Sequence, residues 1–96
     1  MPPLDGILMA NSLHFAQAKA AVLRRIASLL KPGGRLILVE YNTSRGNSAV
    51  PYPLDEHGFF ELAGEAGLRD ARVIARIPSS FLGEMYAGLA WAMYRS

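Results

Sequence analysis

The chain is 96 residues long, 51% hydrophobic and 19% charged, with a formal net charge of +2 and no cysteine. That composition excludes a disordered chain, a disulfide scaffold and a thiolate metal centre. Ten Lys and Arg are interspersed with eight Asp and Glu rather than gathered in a basic stripe, and no run reaches the roughly 18 apolar residues of a membrane span, so neither nucleic acid nor a membrane is an expected partner.

The first element is short. Ile7-Leu8-Met9-Ala10 follows Asp5-Gly6 and is closed by Asn11-Ser12, a run that suits a strand buried on both faces, as in a parallel sheet. From Ala16 to Leu30 the apolar residues recur at three and four spacing. Ala16, Ala20, Leu23, Ile26, Ala27 and Leu30 form one stripe, with Lys19, Arg24 and Arg25 off it, which predicts an amphipathic helix. Lys31-Pro32-Gly33-Gly34 stops that helix, because proline cannot continue it and glycine permits the turn. Arg35 to Tyr41 reads as a strand with a fully apolar centre. Strand, helix and strand joined by short links make a βαβ unit with parallel strands and a right-handed crossover.

Asn42 to Pro53 is rich in Gly, Asn, Ser and Pro and reads as an exposed loop. A second helix is predicted from about Leu54, with Asp55 as N-cap, Glu56 in the first turn and Gly67 at the C-terminal end. Arg72 to Ile77 alternates as a strand near an edge does, and Pro78-Ser79-Ser80 reads as a turn. Glu84 to Tyr94 is compatible with helix or strand. The alternation of Gly88, Ala90 and Ala92 with Leu89, Trp91 and Met93 favours the strand.

In this order the residues carry a resemblance. Leu4-Asp5-Gly6-Ile7-Leu8-Met9-Ala10-Asn11-Ser12-Leu13-His14 resembles the fourth strand of class I S-adenosylmethionine-dependent methyltransferases and the loop after it. Leu29-Leu30-Lys31-Pro32-Gly33-Gly34-Arg35-Leu36 is similar to the turn before their fifth strand. Glu61-Leu62-Ala63 and Ala66-Gly67-Leu68 are similar to their last helix and its exit. The resemblance is to the C-terminal half only, and it spans residues 1–96 as a single domain. It implies an α/β fold, half of a Rossmann-like sheet with strand order 1-2-4-3, the last strand antiparallel and two main helices on one face.

The same resemblance implies S-adenosylmethionine as the family's methyl donor. In that family a glycine-rich turn and an acid at the end of the second strand hold the donor, and no such turn occurs in this chain. The chain alone is therefore expected to bind no cofactor and to be inactive. It is a fragment or subunit of a methyltransferase on one reading, and a free-standing interaction or small-ligand module on another.

Candidate site residues follow from where ligands bind in open α/β sheets, at the carboxyl ends of parallel strands. Asn11, Ser12, Leu13 and His14 occupy that position after the first strand, and Glu40 and Tyr41 end the second. His14 is the candidate general base, and its bland alternative is a loop histidine with no task. Glu40 could meet a substrate, but a carboxylate there more often caps a loop or faces water. Tyr52, Phe81 and Tyr86 could line an acceptor pocket or simply pack, and His57 is expected to face solvent. The two histidines and scattered acids have no metal-ligand spacing.

Two further expectations concern assembly and place. The first strand would form an open edge, and the strands from Leu36 to Tyr41 and from Met85 to Met93 would bare one sheet face, so a homodimer through that face or edge is expected. Without a signal segment the default location is cytoplasmic.

Overall fold

Two helices alternate with the first three of four strands in the computed structural model, which describes residues 4–10, 13, 18–43, 45–46, 50–79 and 83–93. In chain order these are β1 (Leu4–Ala10), α1 (Lys19–Ala27), β2 (Leu30–Tyr41), α2 (Glu56–Glu65), β3 (Leu68–Ser79) and β4 (Gly83–Ala92). The strands form one sheet in the order β1-β2-β4-β3. β1 and β2 are parallel, and β4 is antiparallel to both β2 and β3. The expected order 1-2-4-3 with an antiparallel last strand is the one observed.

The two central strands alternate. Leu36, Leu38 and Glu40 of β2 and Tyr86, Gly88, Ala90 and Ala92 of β4 are buried, while the residues between them are half-buried or exposed. Leu23 of α1 and Phe59, Leu62 and Ala63 of α2 join the buried set in one cluster. Both helices therefore cover the same face, and the core lies between them and the sheet. Each fully buried Leu or Phe in that layer contributes about 1.5–3 kcal/mol.

β4 shows why its small residues fall on the covered side. A Cβ on Gly88 would come within 2.6 Å of the Phe59 ring, so the ring lies directly on the strand backbone. Asp55 caps α2 as expected, its side chain accepting from the Gly58 N–H at 2.7 Å. Gly67 follows the helix with a φ of 79°.

The structure departs from the sequence reading in three places. α1 ends at Ala27 rather than Leu30, and Leu30 to Gly34 belong to β2. The Leu4 N–H donates to the Leu29 carbonyl at 2.8 Å, and Leu4 pairs with Leu30, so the start of β1 draws this segment into the sheet. The ladder is irregular there: the step from Leu4 to Gly6 is matched by the step from Leu30 to Arg35, because Pro32 has no N–H and Gly33 turns the chain at φ 77°. β1 is an edge strand with Leu8 67% exposed, so it is not buried on both faces. Pro78 and Ser79, expected in a turn, extend β3 as partners of Glu84 and Gly83.

β3, the other edge, is broken twice in its register, between Arg69 and Arg72 and between Val73 and Ala75. Asp70 sits in the first break with φ 55°. No helix among the described residues is long and apolar enough to cross a membrane.

The contact between Phe59 and Gly88 gives a stability prediction. Gly88→Ala lowers the unfolding free energy by about 1–3 kcal/mol in urea titrations, as overpacking of a filled core does. In a double-mutant cycle with Phe59→Leu the two losses are less than additive.

Candidate functional site

The carboxyl ends of β1 and β2 meet at Glu40. This residue continues the buried face of β2 and is 0% exposed. Its Oε2 accepts a hydrogen bond at 2.9 Å from the backbone N–H of Leu13, which lies beyond the end of β1 and is itself 1% exposed. A buried amide without a partner costs about 1–3 kcal/mol, so the bond holds Leu13 against the end of β2.

Across the sheet Glu40 is registered with Tyr86. The Tyr86 hydroxyl donates to the Leu54 carbonyl at 2.7 Å and lies 3.3 Å from the Asp55 carbonyl. Its ring packs against Phe59, with centroids 6.2 Å apart. Burial, and then the charge of Glu40, push the phenol well above its ordinary pKa. It is a neutral donor throughout the physiological range, and it anchors the entry to α2.

Lys19 opens α1 at this end of the sheet. Its Nζ stands 5.4 Å from the centroid of the Tyr52 ring, an arrangement that favours the cation. Partial burial lowers the ammonium pKa, and the nearby Glu40 charge opposes that shift.

Beside this group lies a polar cluster centred on Asn42. The Asn42 amide donates to Glu56 Oε2 at 2.8 Å and to Glu84 Oε1 at 2.6 Å, and its carbonyl accepts from the Glu56 N–H at 2.9 Å. Arg76 completes a two-pronged pair with the Glu56 carboxylate at 2.7 and 2.8 Å. That guanidinium holds the Glu56 carboxyl below its usual range. The cluster ties the end of β2 to the start of α2, to β3 and to β4.

No family model matches the chain, and no curated protein matches it in sequence. Solved structures do. A Burkholderia thailandensis 1,6-didemethyltoxoflavin-N1-methyltransferase, solved with 1,6-didemethyltoxoflavin and S-adenosylhomocysteine, superposes with a TM-score of 0.72 at 26% identity, over 93% of this chain and 44% of that one. A methyltransferase from Thermotoga maritima, described as a possible histamine N-methyltransferase, gives 0.73 at 15% identity, over 91% and 55%. The CurJ carbon methyltransferase gives 0.73 at 22% identity, over 93% and 29%.

The fold is that of a class I methyltransferase, in part.

The chain spans between 29% and 55% of the length of those three methyltransferases. Against this methyltransferase frame the expected site residues separate. Leu13 and Glu40 come together through the hydrogen bond from the Leu13 N–H to the Glu40 carboxyl, and Glu40 does not face water. Tyr41 points to the opposite face of the sheet, where it is registered with Met85. Asn11, Ser12, His14 and Phe81 lie outside the described residues. Tyr86 packs, Tyr52 is 41% exposed beside Lys19, and His57 is exposed, 3.4 Å from Glu61 one turn along α2.

Sequence reasoning missed Lys19, placing it only off the apolar stripe, and it missed the partnership of Glu56, Arg76 and Glu84 around Asn42. The signal for Lys19 was its position in the first turn of the helix after β1. The Asn42 cluster joins four segments far apart in sequence and left no local signal. No metal-binding group of His, Asp and Glu occurs among the described residues. A cleft of about 330 Å³ lies at the opposite end of the sheet, lined by Arg24, Leu30, Pro32 and Leu68.

Two measurements test this site. Glu40→Ala strands the Leu13 amide and costs about 2 kcal/mol in equilibrium unfolding, whereas Glu40→Gln keeps an acceptor and costs less. The pairing of Glu56 with Arg76 contributes stability that is full above the ordinary carboxyl range. As pH falls from about 5 through the depressed folded value, the native state resists protonation, the unfolded chain does not, and that contribution is lost. The acid slope of unfolding free energy against pH is therefore shallower in Arg76→Ala.

Proposed function

We propose that the chain is a methyltransferase-like unit carrying the side of the fold away from the methyl donor's glycine turn, and that on its own it neither binds S-adenosylmethionine nor transfers methyl groups. The observation that carries the reading is the topology. A parallel pair with a helical crossover, closed by an antiparallel strand inserted between β2 and β3, superposes on part of several methyltransferases.

The groups at the carboxyl ends support the second half of the reading. A donor of this class needs a close backbone approach for its methionine part and an accessible carboxylate for its ribose diol. The chain has no GxGxG segment. Glu40 is fully buried and engaged by Leu13, so its carboxyl does not reach a ribose. The carboxylates of Glu56 and Glu84 are held by Asn42 and Arg76. The described residues therefore do not fit the donor. What this end does present is a half-buried ammonium, Lys19, beside an exposed aromatic ring, Tyr52, chemistry that suits the acceptor side of a site.

A second reading, a free-standing oligomeric module, is favoured by the sheet face that the helices leave uncovered.

Calorimetric titration of the 96-residue protein with S-adenosylmethionine at millimolar concentration tests the proposal. With most polar anchors for the ligand lacking, little offsets the cost of immobilising it, and no saturable heat is expected. A dissociation constant in the low micromolar range overturns it.

A further inference from the structure

The uncovered face of the sheet is ordered in rows. Gly6, Arg35, Trp91 and Arg69 form the first row across β1, β2, β4 and β3. Leu8, Ile37, Leu89 and Arg72 form the second, and Ala10, Val39, Ala87 and Ala75 the third. Tyr41, Met85 and Ile77 form the fourth on the last three strands. Leu8 is 67% exposed and Ile77 60% exposed. The Arg69 and Arg72 guanidinium groups lie over the Trp91 ring at 5.8 and 5.1 Å. Among the described residues no carboxylate stands in any row. Asp70, in the bulge, pairs with Arg69.

From this pattern we infer that a second copy of the chain covers the face, stacked about a twofold axis that runs across the strands between the second and third rows.

The argument is one of size and charge. Such an axis lays the first row of one copy on the fourth row of the other and the second row on the third, strand over like strand. Three of the four pairs across the two middle rows then set a large residue on a small one: Leu8 faces Ala10, Leu89 faces Ala87 and Arg72 faces Ala75, while Ile37 faces Val39. Trp91 meets Met85, a favourable contact of sulfur and aromatic ring, and Arg35 meets the Tyr41 ring. The other in-plane twofold axis, along the strands, sets Ile37 on Leu89 and Ala10 on Ala75, large on large and small on small. It also gathers Arg35, Arg69 and Arg72 of both copies at one end. Interdigitation and repulsion both select the first axis.

The area is sufficient. Strands about 4.8 Å apart and rows about 6.8 Å apart give each copy a face on the order of 400 Å² in plane, and two copies with side-chain relief bury on the order of 1,000 Å², the size a specific interface requires.

Sedimentation equilibrium of the 96-residue protein at low micromolar concentration is expected to give a dimer. A well-folded monomer overturns the inference, and would mean that the face is left for another polypeptide. Leu89→Arg and Ala87→Arg, each occurring twice across the axis, weaken association about 100-fold or more, with circular dichroism reporting the fold of each variant. A dimer unaffected by both variants overturns the face in favour of the β1 edge. The chain has no cysteine of its own, so introduced ones report geometry. Facing sheets are about 10 Å apart, a gap that a bis-maleimide of similar span bridges. Mixing Ile37→Cys with Val39→Cys protein gives crosslinked heterodimer. Crosslinking of Ile37→Cys with Leu89→Cys in its place overturns the proposed axis.

Discussion

A carboxyl group with no access to solvent organises the end of the sheet where β1 and β2 finish. Glu40 has no solvent access, and such a group is tolerated only where donors converge on it. The Leu13 amide is one of them. Because Leu13 follows β1 and Glu40 ends β2, their bond closes the two parallel strands at the edge where α/β sheets bind ligands. Tyr86, next across the sheet, extends the same tie to the first turn of α2. The acid serves as a post that holds Leu13 directly and stands beside the tyrosine that anchors the entry to α2.

The layering follows from a second constraint. Both helices need an apolar bed, and β2 with β4 provides one on a single side only, where Leu36, Leu38, Gly88 and Ala90 are buried. Alternation then forces Ile37, Val39, Leu89 and Trp91 to the other side. A methyltransferase fold present only in part is thus left with one finished face and one unfinished face, and the chemistry of the second differs from the first. It mixes arginine and tryptophan with aliphatic side chains across its rows.

The elements most legible in the sequence were those whose period and punctuation agree. The strand from Arg35 to Tyr41, the cap at Asp55 and the exit at Gly67 lie where propensity and pattern point the same way. The end of α1 was misread because Leu30 continues the helical stripe, while the backbone of β1 claims Leu29 and Leu30 through long-range bonds that periodicity cannot register. Glu40 and Tyr41 read as neighbours with one task, yet strand geometry sends them to opposite faces. The Asn42 cluster was illegible for a related reason: it depends on which turns and strand ends meet in space, and Arg76 lies 20 residues from the Glu56 that it holds.

The two edges of the sheet are unlike. β3 is bulged twice and carries a left-handed Asp70 in its first bulge, so its outer backbone presents no continuous run of donors and acceptors. From Gly6 to Ala10, β1 is paired in unbroken register with β2 and contains neither lysine nor proline. In the language of polymer chemistry the sheet is monofunctional. One end keeps the open backbone row that strand addition needs, and at the other end that row is interrupted by two bulges.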